Sequence, residues 1–454
     1  MKATRQTMQA LALAWACLAP LTYAEDSQAT KLLKKRSEHL KPLVTKVSPS
    51  VYVASGYSPA NISMIVGTDG VVIVDTGTFP DHAKAVLKEF RKVTDLPVKA
   101  IILTHGHGDH TGGASALVED AKAQPAIYAR TPFNPEGAMF VAGGVQINGL
   151  RGARQGGFLL PPDKRINNGI APAVNPPQDQ NIFIGRPPRP TDTFRDGRKK
   201  ISVAGLDIEL VAAPGESADQ LYVWFPRERV VFTGDNFYQS WPNLYAIRGT
   251  GYRDVKEWIG SLEAMINEKP AHAVPGHTQP IVGERRTTEV LNNYRDAIKH
   301  VFDKTIEGIN KGMTPDELVE YVELPERLRD LDYLREYYGN IEWGVRAIFT
   351  GYLGWFDGNP THLFSLPPAE EAKRMVKLAG GEPALRAAAA RALKEDDAQW
   401  CAELCDQLLA LKPGDQEIRT LKAEALEALA GKLITATGRN YYLTVAQELR
   451  KISK

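Results

Sequence analysis

The stretch ILTHGHGDHTGG, Ile102 to Gly113, decides the fold, because it packs three of the chain's nine histidines and an aspartate into six consecutive residues. The histidines come directly after the β-branched and aliphatic run VKAIILT, so the polar cluster sits where a strand gives way to a turn. In such a turn His105 and His107 can face one metal ion while Asp109 and His110 reach a second about 3.5 to 4 Å away. A polar surface loop is the competing reading, but three histidines and an aspartate at this spacing form a specific ligand pattern. No cysteine lies nearby, so any metal here is held by nitrogen and oxygen.

Outward from this motif, short strand-like runs continue in both directions: VYVAS, ISMIV and VVIVDTG before it, ISVAG, LDIELVA, LYVWF and VVFTGD after it. Between VVIVDTG and VKAIILT, the segment DHAKAVLKEFRKV places Ala83, Val86, Leu87 and Phe90 at helical spacing. The pattern predicts a strand-rich α/β domain with helices on its outside, from about Val51 to Pro280. Gly149 to Phe194 interrupts it with eight prolines between Pro161 and Pro190, which reads as a structureless functional loop or lid. Beyond about Arg286 the chain turns helical, and ALRAAAARALKEDDAQWCAELCDQLLALKPGDQEIRTLKAEALEALAG has helical-hairpin spacing. One or two such hairpins cannot stand alone, so they must pack on the catalytic domain or on a second subunit.

The motif His-x-His-x-Asp-His-x-Gly-Gly resembles that of the metallo-β-lactamase superfamily. The resemblance implies an αββα sandwich with two zinc ions at one edge. It makes Asp109 and Asp75 the candidate catalytic carboxylates, Asp109 as a metal ligand and Asp75, in VVIVDTG, as a hydrogen-bond acceptor in the metal-site network. In PGES, Glu216 stands where most of the superfamily has histidine; a carboxylate is a competent zinc ligand but lowers the Lewis acidity of its metal. FTGDN supplies Asp235 as a bridging carboxylate and VPGHTQP supplies His277. The implied set is His105, His107 and Glu216 on one ion, Asp109, His110 and His277 on the other, with Asp235 between.

Together with NLYAIRG (Asn243 to Gly249), REYYGNIEWGVRAIFTGYLGWFDGNP and GRNYYLTVAQELR, the glutamate replacement is similar to the zinc-dependent alkylsulfatases. That resemblance runs from about residue 30 onward and implies a metallo-β-lactamase-type catalytic domain followed by an all-α dimerisation domain. It divides the chain into 1–24, a leader; 25–285, the catalytic domain with its proline-rich loop at about 149–194; and 286–454, the helical domain. Arg248 matches the family's sulfate-clamping arginine, suited to a monoester by its planar paired donors. Asn243 and Tyr245 are candidates for orienting the leaving group. The implied reaction is hydrolysis of an organic sulfate ester by metal-activated water, with another ester, a lactone or a β-lactam as the alternative substrate class. The sequence departs from the family where Pro242 precedes Asn-Leu-Tyr in place of histidine and where RQGGF replaces a tyrosine-rich stretch. It also ends at Lys454 without the sterol-carrier-like domain usual in the family, so short or medium alcohols are the expected leaving groups.

Charge adds exclusions: 55 basic residues against 54 acidic ones leave no electrostatic footprint for nucleic acid. Lys2 and Arg5, an apolar run from Met8 to Leu21 and small residues up to Ala24 read as a cleaved secretory leader, shorter than the ~20 residues of a spanning helix. A periplasmic or secreted protein without stable membrane insertion follows. Lipidation at Cys17 is the alternative, opposed by bulky Trp15 two positions before it. Cys401 and Cys405, one helical turn apart, have poor geometry for a disulfide and read as buried thiols. The aromatic run from Tyr337 to Phe356 reads as a subunit interface more than a substrate channel, and a homodimer is expected.

Overall fold

The computed structural model describes residues 26–118, 124–173 and 187–451, so the leader read in residues 1–24 lies outside the described residues. Two sheets lie face to face. The first has seven strands in chain order, β1 Leu43–Lys46, β2 Val51–Ser55, β3 Ile62–Val66, β4 Val71–Val74, β5 Val98–Ile102, β6 Ala126–Arg130 and β7 Asp192–Phe194. It is antiparallel up to β4 and parallel from there to β7. The second runs β13 Ile281–Val282, β12 His272–Pro275, β11 Val230–Gly234, β10 Leu221–Phe225, β9 Leu206–Ala212 and β8 Arg198–Val203, antiparallel except between β11 and β12.

Strand β4 shows why the apolar runs are continuous. Val72 and Val74 face the second sheet, packing with Ile208, Leu210, Val223 and Phe232, while Val71 and Ile73 face outward onto Ala83, Val86 and Phe90 of the helix Pro80–Phe90. A strand buried on both faces needs no polar alternation. On the far side, the second sheet is covered by the helices Val255–Asn267 and Glu284–Asn310, through Trp258, Leu262, Tyr294 and Ile298. The αββα layering implied by the sequence is therefore present.

The same outer core runs on into Leu318, Val345, Ile348 and Phe349, so the helical region begins as an extension of the sandwich. Its last helices, Glu382–Lys394, Ala398–Leu411, Gln416–Lys432 and Ala436–Arg450, have a core of their own. They also dock on the catalytic domain, where Arg154 and Glu448 pair at 2.7 Å and Gln447 donates to the Leu159 carbonyl at 3.4 Å. That docking corrects the reading of Gly149 to Phe194 as structureless. Residues Ile147–Gln155 form an amphipathic helix that buries Ala153 and Gln155. Asn167 ties the following turn to the N-terminal helix through the Leu33 carbonyl. Residues 174–186 of the stretch lie outside the described residues. Cys401 and Cys405 are free and buried, as expected of thiols on one helix face. No helix among the described residues is long and apolar enough to cross a membrane.

Candidate metal centre

Every residue of the centre follows the C-terminal end of a strand. The loop after β5 carries His105, His107, Asp109 and His110, the last two in a single helical turn, Gly108–Thr111. Glu216 follows β9, Asp235 follows β11 and His277 follows β12. Two groups of ligand atoms result: His105, His107, Glu216 and Asp235 form one cup, and Asp109, His110 and His277 the other. Asp235 lies between them, 3.3 Å from His110 Nε2, 3.1 Å from His277 Nε2 and 3.9 Å from His105 Nε2. The seven side chains expected from the sequence are thus brought together, and the carboxylate expected to bridge does stand in the middle.

The orienting bonds fix which atom each residue offers. Asp75 accepts from the Thr104 backbone N–H at 2.8 Å, the Thr104 hydroxyl at 2.8 Å and His110 Nδ1 at 2.8 Å. It is therefore a positioning residue for His110, behind the cleft. Its φ of 58° is in the left-handed region, an uncommon conformation that aspartate tolerates better than most residues. His277 gives Nδ1 to the Pro59 carbonyl at 2.7 Å and turns Nε2 to the centre. The β-branched Thr278 beside it sits at φ 69°, backbone strain of the kind concentrated at functional sites. Gly276 is required by proximity, since a Cβ there would collide with Asp235 and His110.

These atoms fit metal ions. Among the described residues, His110 Nε2, Glu216 Oε2 and Asp235 Oδ1 are buried and have no hydrogen-bond partner, a costly arrangement for polar atoms unless a cation completes it. His105 Nε2 and His107 Nδ1 face each other at 2.9 Å, an arrangement a shared cation also satisfies. Electrostatics agree. Burial disfavours the ionised Asp235 carboxyl, yet His110 and His277 hold it well below the usual carboxylate range. Burial lowers His110, but Asp235, Asp75 and Asp109 outweigh it and raise its pKa well above the ordinary histidine value. His105 is lowered by burial and by the neighbouring His110 and His107, so its ring is a neutral donor.

Two charged residues that the sequence reading did not single out complete the site. Arg253, 4% exposed, donates to Glu216 Oε1 at 2.5 Å and to the Asn243 carbonyl at 2.6 Å. Burial pushes the Glu216 carboxyl up to about 7, and the Arg253 guanidinium is the largest pull in the other direction. Glu136 stands 3.8 Å from His107 Nε2 and accepts from Arg248 Nη2 at 2.7 Å and from the Thr250 hydroxyl at 2.9 Å. Burial raises its carboxyl, but His107 and Arg248 outweigh burial and hold it far below the usual range.

Of the residues expected at the substrate, Arg248 reaches the centre through Glu136. Among the described residues its side chain donates to no other acceptor, which leaves one two-donor edge of the guanidinium for an anion. Asn243 is 2% exposed; its backbone N–H donates to the Tyr238 hydroxyl at 2.8 Å, while its side-chain Nδ2 is buried without a partner among the described residues. Tyr245 lines a cavity of about 540 Å³ with Leu244, Ile247, Tyr252, Arg253 and Trp343. The aromatic run divides: Tyr337 and Phe349 are core, whereas Tyr352 and Trp355 are exposed at 49% and 73%.

Two facing sheets with a histidine- and carboxylate-lined double cup at their strand ends define the metallo-β-lactamase class of metal-dependent hydrolases. Residues 56–277 match the metallo-beta-lactamase superfamily model and residues 314–452 match that of the alkyl sulfatase dimerisation domain. The chain is 37% identical to a linear primary-alkylsulfatase of Pseudomonas sp., over 85% of this chain and 73% of that one. It is 30% identical to the alkyl/aryl-sulfatase BDS1 of Saccharomyces cerevisiae, over 89% of this chain and 64% of that one. The structure superposes on that of the stereoselective inverting sec-alkylsulfatase Pisa1 from Pseudomonas sp. with a TM-score of 0.86 at 27% identity, covering 95% of this chain and 70% of the other. The chain belongs to the alkylsulfatase family of the metallo-β-lactamase superfamily. It spans 61% to 73% of the length of its curated alkylsulfatase relatives.

Proposed function

We propose that this protein is a dinuclear zinc hydrolase of organic sulfate esters that works as a homodimer in the periplasm or outside the cell. His105, His107 and Glu216 would hold one zinc and Asp109, His110 and His277 the other, with Asp235 shared. Bound zinc supplies Lewis acidity and a nucleophilic water near neutral pH. The chain's own contribution is orientation and charge. Asp75 and the Pro59 carbonyl hold His110 and His277 by Nδ1, and Asp235 is kept ionised between the cups. The observation that carries the sulfate reading is Arg248, anchored by Glu136 beside the metal ligand His107 with a two-donor edge to spare. A singly charged sulfate group matches that edge in charge and geometry. Asn243 and Tyr245 lie on the same loop, and Tyr245 lines a mostly apolar cavity that meets the centre through Arg253, the partner of Glu216.

One observation favours the second substrate class, a neutral ester, lactone or β-lactam: Glu136 already offsets the charge of Arg248. A panel of alkyl and aryl sulfates, phosphates, lactones and β-lactams on zinc-replete protein separates the two. Sulfate ester turnover is expected, and good turnover of neutral substrates with none of any sulfate would overturn it.

The dimer is supported by an exposed apolar arm within the matched dimerisation region, where Leu353, Trp355, Phe364 and Leu366 stand 54%, 73%, 93% and 47% exposed. Such a patch calls for a partner. Export rests on the leader-like sequence of residues 1–24, and the mass of the mature chain tests it.

A further inference from the structure

Glutamate at position 216 creates a problem of charge and of denticity. The cup it joins already holds Asp235, with Asp109 next to it, and a third carboxylate in this buried space weakens the Lewis acidity of whatever ion it binds. A carboxylate can also close on an ion with both oxygens, where a histidine offers one nitrogen. Arg253 answers both. Its Nη1 is 2.5 Å from Glu216 Oε1, both side chains are 3% exposed, and Oε2 is the oxygen left buried beside the other ligands without a partner among the described residues. The same Nη1 holds the Asn243 carbonyl at 2.6 Å, so the guanidinium fastens the ligand to the loop that carries Arg248.

We infer that Arg253 is the positioning residue that allows a glutamate to serve where histidine is usual: it occupies Oε1, offsets the added charge, and leaves Oε2 as a single ligand atom. Arg253 and Glu216 then act as one unit, worth together what a neutral histidine supplies alone. The inference rests on the dinuclear-metal reading and is independent of which ester is cleaved.

A double-mutant cycle on the full chain tests it, with zinc as the probe and the zinc dissociation constant from chelator competition as the readout. Glu216→His leaves Arg253 as an unpaired buried cation facing the metals, so zinc affinity should fall by roughly tenfold to a hundredfold, the usual range for disturbing a ligand's surroundings. Adding Arg253→Met should restore most of that loss, because neither exchanged side chain then carries a charge. Arg253→Lys, which keeps the charge, should still bind two equivalents of zinc. If Glu216→His does not fold, Glu216→Gln with and without Arg253→Gln reads the same coupling. A double variant no better than Glu216→His, or a Glu216→His protein with undiminished affinity, overturns the inference. Wild-type protein that binds no zinc tightly overturns the metal reading itself, a distinct outcome.

Discussion

The two halves of the centre are oriented by opposite means. In the cup of Asp109, His110 and His277, both imidazoles are held from behind by acceptors, Asp75 and the Pro59 carbonyl, which fix the tautomer and push electron density toward the ligand nitrogen. In the cup of His105, His107 and Glu216, the glutamate is held from behind by a donor, Arg253, which draws electron density away. One half is a conventional carboxylate–histidine arrangement, and the other is an acid tamed by a base. The difference teaches that exchanging one ligand type changes the residue needed behind it, so a ligand and its support must be read together.

If that contrast is right, removing a ligand from the first of these cups has the largest effect. His110→Ala should cost one zinc equivalent and more activity than the roughly 10-fold to 100-fold typical of losing an outer partner. Metal analysis beside kcat/KM checks it, and full zinc content would break the assignment. Asp75→Asn comes next. It leaves the ligands intact but disturbs a carboxylate with three donors, and should lower zinc affinity about 10-fold to 100-fold. An unchanged chelator-competition curve would show that His110 needs no support. Glu136→Gln should be milder. It loses the charge that anchors Arg248, about 1 kcal/mol of charge-assisted hydrogen bonding or roughly fivefold in kcat/KM, with two zinc ions still bound. Loss of zinc instead would make Glu136 a partner of His107 first. The smallest effect is expected far away, at Cys405, whose thiol burial pushes up to about 12. The thiolate is the reactive form and is scarce below that pKa, so alkylation at pH 8 should be negligible in the native protein and complete after unfolding. Rapid native labelling would show that the terminal helices open.

Much of this was legible in the sequence because it is local. Each segment of the centre follows its own strand within a few residues, so strand runs and short motifs locate Asp75, the Ile102–Gly113 cluster, Glu216, Asp235 and His277 in turn. The layering was legible for the same reason, since β4 and β5 read as continuous apolar runs. What escaped acts across distance in the chain. Arg253 meets Glu216 from 37 residues away, and Glu136 meets Arg248 from 112. An acidic ligand in a histidine's place signals that a counter-charge is needed, but nothing local says which arginine supplies it. The segment after Gly149 reads as structureless because its prolines dominate the composition, while the nine-residue helix at Ile147–Gln155 draws its stability from docking on the C-terminal helix.

The central claim is that Arg248 reads the charge of a sulfate ester beside two zinc ions. Comparing kcat/KM of wild-type and Arg248→Ala protein, both zinc-replete, on one alkyl sulfate and one neutral ester tests it most directly. Loss of a charge-assisted contact in a partly dry cleft should cost roughly 2 to 4 kcal/mol, about 30-fold to 1,000-fold on the sulfate, and leave the neutral ester nearly untouched. An equal loss on both substrates, or a wild-type protein that hydrolyses only the neutral one, would contradict the account.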